Sequence, residues 1–176
     1  DLLTISELES GRVKLNLQAV PLSPVVAKVF EDFKARAVAK DVKLINQAPN
    51  LAVHADADRL EQVLGNLVDN AIKYGRPKGT VTVGGSARDG GQVEVFVQDD
   101  GPGIVPEALE RVFERFYRVD KARSREQGGT GLGLAIVKHI IQSHGGRVWA
   151  TSELGRGTTF FFILSQAAGT LQQPLL

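Results

Sequence analysis

Asn66, Asn70, Lys73 and Tyr74 crowd the second half of one helix-forming stretch. Their types suit an anionic ligand that carries a counter-ion. An Asn carboxamide oxygen can ligate a hard cation, a Lys ammonium can meet phosphate, and a Tyr ring can stack on a flat base. At 100° per residue, Asn66, Asn70 and Lys73 fall within about 60° of one another. They lie beside the apolar arc of Leu60, Val63, Leu64, Leu67, Val68 and Ala71, not opposite it. Asn competes for backbone hydrogen bonds and is a poor helix former, so two of them one turn apart invite a reason. A polar edge that the helix merely tolerates is one reading, and a ligand-binding face is the other.

Two glycine-rich segments add to this. Asp99-Asp100-Gly101-Pro102-Gly103-Ile104 follows an alternating strand pattern. A plain turn would use the same residues, but a carboxylate fixed at a strand end can also accept a hydrogen bond from a ligand amine. Gly128-Gly129-Thr130-Gly131-Leu132-Gly133-Leu134 opens an apolar helix pattern. Glycines there let backbone amides approach a ligand, and the helix start favours anions. A flexible hinge is the alternative. Neither the dinucleotide G-x-G-x-x-G spacing nor a P-loop is present. Between the segments, residues 111–125 hold Arg111, Arg115, Arg118, Lys121, Arg123 and Arg125 against Glu114 and Asp120. Such a run can be a solvated loop or a basic lid over a polyphosphate. Phe113, Phe116 and Tyr117 are expected to pin it to the body.

Composition limits the options. The 176 residues include 21 Lys plus Arg and 20 Asp plus Glu, a net charge of +1. No global field argues for nucleic acid or an anionic membrane surface. Cysteine is absent, which excludes disulfides, thiolate metal sites and a cysteine nucleophile. No apolar run is long enough to span a bilayer. His54, His139 and His144 are scattered, and all three are expected to be structural or surface residues. The chain contains no Met and begins at Asp1, so a piece of a longer protein is expected. Of the 19 glycines, several gather at 101, 103, 128, 129, 131, 133, 155 and 157, which suggests a binding site more than linkers.

The periodicity predicts the elements that must position these residues. Residues 1–11 read as the end of a longer helix. A strand is expected over 13–19, then a helix capped by Ser23 with Pro24 in its first turn, running to Lys40. Strands follow over 42–47 and 52–54, then a helix over 57–74 capped by Asp56. Strands over 80–87 and 92–99 form a hairpin around Asp89-Gly90-Gly91. A short helix spans 106–113 and a longer one 131–143, closed by His144-Gly145-Gly146. Strands over 147–151 and 158–165 form the last hairpin, and 166–176 reads as a loose tail. Mixed helices and hairpins predict an α+β protein, a two-layer α/β sandwich with one mixed sheet.

In order and spacing these segments resemble the catalytic, ATP-binding domain of sensor histidine kinases. That domain belongs to the Bergerat-fold superfamily, which also includes DNA gyrase and heat-shock chaperones. The resemblance covers about residues 12–165. Its N box matches Asp58 to Tyr74, and its first glycine box matches Asp99 to Ile104. The F box matches Phe113-Glu114-Arg115-Phe116-Tyr117-Arg118, and the second glycine box matches Gly129 to Leu134. Gly155-Arg156-Gly157-Thr158 looks like the third. Residues 1–11 resemble the end of the second helix of a dimerisation and phosphotransfer domain. The implied fold is a mixed, mostly antiparallel sheet with about three helices on one face.

The resemblance implies ATP and Mg²⁺ as ligands. It places Asn70 on the metal, with Asn66 nearby, Lys73 on phosphate and Tyr74 against adenine. Asp99 would accept from the adenine amino group, in a loop formed by Gly101, Gly103 and Ile104. Gly129, Thr130, Gly131, Leu132 and Gly133 would wrap the phosphates, and Thr158 would join the binding site. Arg115 and Arg118 become lid candidates for the γ-phosphate or the domain interface. The hydrolytic branch of the superfamily carries a Glu general base one turn before the metal-binding Asn. Here that residue is Asn66, which cannot take a proton at neutral pH.

Transfer of the γ-phosphoryl group to a histidine is therefore implied. The acceptor belongs to a dimerisation domain outside this chain, and the phosphoryl group passes on to a response regulator. The implied parent is a homodimeric bacterial membrane receptor with its catalytic part in the cytoplasm. None of the three histidines here has the acceptor's setting, so the fragment alone is not expected to phosphorylate itself. A Bergerat-fold ATPase, a serine kinase and a nucleotide-binding module without catalysis remain as alternatives.

Overall fold

The computed structural model describes residues 14–118 and 131–167. Strand β1 (Leu17–Pro21) leads directly into helix α1 (Leu22–Ala39). Strands β2 (Lys43–Gln47) and β3 (Ala52–Asp56) follow, then helix α2 (Ala57–Tyr74). Strands β4 (Thr80–Arg88) and β5 (Gln92–Asp99) form a hairpin. A single helical turn, α3 (Pro106–Leu109), precedes helix α4 (Gly133–Ser143) and the hairpin of β6 (Arg147–Glu153) and β7 (Gly157–Ser165).

The main sheet has the order β2-β4-β5-β7-β6, and only the β2–β4 pair is parallel. Alternation along β5 and β7 turns Val93, Val95, Val97, Phe160, Phe162 and Leu164 inward. Helices α1, α2 and α4 supply the facing layer through Val26, Val29, Leu60, Leu64, Leu67, Ile136 and Ile140. The expected α+β sandwich with a mixed, mostly antiparallel sheet is the observed architecture. No helix among the described residues is long and apolar enough to cross a membrane.

Several boundaries differ from expectation for local reasons. Strand β1 begins four residues later than the alternation suggested and pairs antiparallel with β3, building a separate two-stranded sheet. Ser23 does not cap α1: the helix already begins at Leu22, and no side chain caps it. The Leu22 N–H instead donates to the Leu51 carbonyl at 2.9 Å, which satisfies a helix-start donor without a polar side chain. Only Pro106–Leu109 of the expected 106–113 helix is helical. Beyond it the chain turns to bury Val112 and set Phe113 edge-on against Phe160, 5.9 Å between ring centres. Helix α4 starts at Gly133 rather than 131, because Gly131 has φ +78°. Gln166 and Ala167, at the start of the expected tail, continue the pairing along β3.

Asp56 caps α2 as expected, accepting from the Arg59 N–H at 3.1 Å. The expected apolar arc of that helix is buried, joined by Ile72. The arc holds α2 against the sheet and leaves its polar edge beside the end of β5 and the start of α4.

Candidate functional site

Asn66 and Asn70 are both half-buried on α2. The Asn66 side-chain amide donates to the Gly133 carbonyl at 3.2 Å, which fixes the middle of α2 to the first turn of α4. One turn on, Lys73 Nζ lies 3.1 Å from Asp69 Oδ2, and Asp69 Oδ1 also accepts from Arg36 at 2.7 Å. Tyr74 ends the helix half-buried, and Gly75 follows.

The first glycine loop seats against that helix end. Asp99 is 8% exposed, and its Oδ1 accepts from the Gly101 N–H at 2.8 Å. Burial pushes its carboxyl above the usual range, while the Gly101 and Thr158 backbone donors and nearby Lys40 pull the other way. A Cβ at residue 101 would stand 2.8 Å from both Gly75 Cα and the Tyr74 carbonyl oxygen, so the loop can approach α2 only as glycine. At residue 157, φ is +125° and a Cβ would meet the Asp99 carbonyl at 2.0 Å. The turn before β7 therefore lies directly on the end of β5. The Gly155 N–H donates to the Pro102 carbonyl at 2.8 Å, Ile104 is half-buried beside it, and Gly103 has φ +82°.

Residues 111–118 approach the same region from the other side. The Phe116 N–H donates to the Gly131 carbonyl at 2.8 Å, which links the F-box segment to the residues before α4. Phe113 pins the segment to the core as expected. Phe116 does not: it is 57% exposed with φ +62°. Arg111 lies over the Tyr117 ring, 4.4 Å from its centre, and holds Glu114 through two nitrogens at 3.1 and 3.2 Å. Arg115 is exposed and Arg118 half-buried. Burial holds the His139 imidazole below its usual range, and the positive charges of Arg115 and Lys138 add to this. Gly129, Thr130 and the basic residues Lys121, Arg123 and Arg125 lie outside the described residues.

Two tethers were not legible as site features. Lys40, at the end of α1, donates to the carbonyls of Ile72, Lys73 and Gly75 at 2.6, 2.9 and 3.1 Å. It holds the exposed carbonyl end of α2, where cations are favoured. Its 33 residues of separation from Lys73 hide it from any local pattern. Ser152 Oγ contacts Ile104, Gly157 and Thr158, and a lone strand serine carries no signal of that. His144 has a structural role. Its Nδ1–H donates to the Ile140 carbonyl at 2.8 Å, so Nε2 accepts from the Asp56 N–H at 3.1 Å.

The model of histidine kinase-, DNA gyrase B- and HSP90-like ATPases matches residues 55–168. The chain belongs to this family. The chain is 40% identical over 167 residues to the sensor histidine kinase WalK of Bacillus subtilis, covering 93% of this chain and 27% of that protein. It is 42% identical over 165 residues to the sensor-like histidine kinase SenX3 of Mycobacterium tuberculosis, covering 93% and 40%. Among solved structures it resembles full-length ShkA in complex with AMPPNP, with TM-score 0.83, 34% identity and 96% and 35% coverage. It also resembles the mycobacterial sensor histidine kinase MprB, with TM-score 0.75, 30% identity and 85% and 97% coverage. The chain thus spans less than half the length of these curated relatives. Its fold and box order are those of a histidine kinase catalytic domain.

Proposed function

We propose that this domain binds ATP with Mg²⁺ and directs the γ-phosphoryl group onto a histidine of a dimerisation and phosphotransfer domain, for relay to a response regulator. The carrying observation is convergence on α2. Through Asn66 the Asn-bearing edge of α2 is bonded to Gly133 at the start of α4, and the C-terminal end of the same helix, at Tyr74 and Gly75, packs on the glycine loop that follows the buried Asp99. The relative ShkA was solved with the ATP analogue AMPPNP, which supports the nucleotide.

In this reading Asp99 accepts from the adenine amino group, while Gly101, Gly103 and Ile104 form the wall around it. Tyr74 lies against the base. Gly129, Thr130, Gly131, Leu132 and Gly133 enclose the phosphates, and Lys73 exchanges part of its contact with Asp69 for them. Among the described residues no cluster of three acidic or imidazole groups could hold a metal alone. The Asn70 carboxamide offers one hard oxygen, which suits Mg²⁺ held mainly by phosphate oxygens. When bound there, Mg²⁺ would neutralise phosphate charge. The domain's own contribution is position and electrostatics. Asn66 orients and cannot serve as base for water. Arg115 and Arg118 stand on the lid side, where they meet the γ-phosphate or the domain interface.

The imidazole nitrogen of the acceptor forms the new N–P bond. The P–O bond to ADP breaks with its electron pair on ADP, and the imidazole proton leaves to solvent. The test mixes this domain with the dimerisation domain of its full-length chain and labelled ATP. Acid-labile, alkali-stable label on the partner is expected. Free phosphate alone, or label on serine, would overturn the proposal.

A further inference from the structure

Ser152 lies near the end of β6, outside the glycine boxes, and its hydroxyl joins three backbone segments. The Ile104 N–H donates to Ser152 Oγ at 2.7 Å. Ser152 Oγ donates to the Gly157 carbonyl at 2.9 Å, and Thr158 Oγ1 lies 3.0 Å from the same oxygen. A hydroxyl owns one proton. With the Ser152 proton on Gly157, the remaining bond uses the proton of Thr158. Thr158 is 5% exposed, so its hydroxyl keeps only lone pairs for any other group. The Thr158 backbone N–H meanwhile donates to the Asp99 carboxylate, as does Gly101. Asp99 and Thr158 are therefore neighbouring acceptors with their nearby protons already committed.

We infer that Ser152 is a positioning residue that sets the hydrogen-bond polarity of the base pocket, making it select a purine with an amino group over one with an oxo group. The inference rests on the reading of Asp99 as the base contact. An amino group brings protons to acceptors. An oxo group would place lone pairs against lone pairs, and an unsatisfied buried acceptor is costly. Without Ser152 the Thr158 proton is released and can turn to an oxo group, so discrimination weakens.

The test compares ATP with inosine triphosphate, whose base carries oxo where adenine carries amino, by titration calorimetry. Wild-type protein is expected to prefer ATP. Ser152→Ala should narrow the ATP-to-inosine ratio about tenfold, the value of one buried hydrogen bond. Ser152→Thr keeps the hydroxyl and should restore the ratio. In a Thr158→Val background, Ser152→Ala should no longer change it. A Ser152→Ala protein that only melts earlier, with the wild-type ratio intact, overturns the inference. Should that variant not fold, Thr158→Val alone decides, because it also removes the opposing lone pairs: an unchanged ratio overturns the inference. If wild-type protein binds both nucleotides equally, or Asp99→Ala keeps full ATP affinity, the base-contact reading itself fails.

Discussion

Asn66 on α2 donates its side-chain amide to the carbonyl of Gly133, the first residue of α4, across 3.2 Å. One side chain thus couples the Asn-bearing edge of α2 to the start of α4, the cation and phosphate ends of the site in the proposed reading. Asn66→Ala should lower Mg²⁺–ATP affinity about tenfold, because it loses a part-buried hydrogen bond between the two. Asn66→Glu should weaken transfer and raise phosphate release, since a carboxylate can take a proton from water. Phosphate-release assays on both variants check this; a Glu variant without added hydrolysis would contradict the role assigned to this position.

Asp99 is buried at some expense to the stability of the fold. Its carboxyl is raised by burial. A raised acid contributes stability at low pH that is lost as pH rises through its folded value. Asp99→Asn removes that loss. The variant should melt higher than wild type at neutral pH, by about 2–4 °C per kcal/mol relieved, and the gap should close as pH falls below the usual aspartate range. Calorimetric melts from pH 4 to 8, paired with loss of ATP preference, would show both effects.

The helix carrying the site was legible because burial writes a period into sequence: Leu60, Val63, Leu64, Leu67, Val68 and Ala71 could form only one arc, and all are buried. The first glycine box was legible because close backbone approach excludes a Cβ, as at Gly101 and Gly103. What escaped depends on partners far along the chain. The β1–β3 pairing joins Val20 to Val53, and Lys40 reaches carbonyls about 33 residues away. Phe116 misled because an aromatic residue reads as core, whereas its backbone bond to Gly131 and its left-handed conformation leave the ring outside.

Asp56 should give an acid-sensitive cap. Burial raises its carboxyl, but the backbone donors of Asn16, Arg59 and Asp58 outweigh that and hold it below the usual range. A depressed acid stabilises above the usual aspartate range, and that stability is lost as pH falls through the folded value. Asp56→Ala should cost about 1 kcal/mol at pH 7 and progressively less below pH ~4. Urea melts at pH 7 and pH 3 test it; an equal cost at both would rule out the charged cap.

Lys40 closes the site from behind. Its ammonium gathers three carbonyls at the end of α2, immediately beside Tyr74 and the Gly75–Gly101 contact. Lys40→Met keeps much of the apolar stem but strands those carbonyls, so a loss of about 1.5–3 kcal/mol is expected. The helix end should also loosen at Tyr74, the base contact in the proposed reading, so ATP affinity should fall while the affinity for tripolyphosphate, which lacks a base, changes little. Lys40→Arg supplies a cation again but in a planar fork that suits a three-carbonyl cup poorly, and should recover only part of both. Equal losses for ATP and tripolyphosphate would place the effect of Lys40 on the whole fold rather than on the base end of the site.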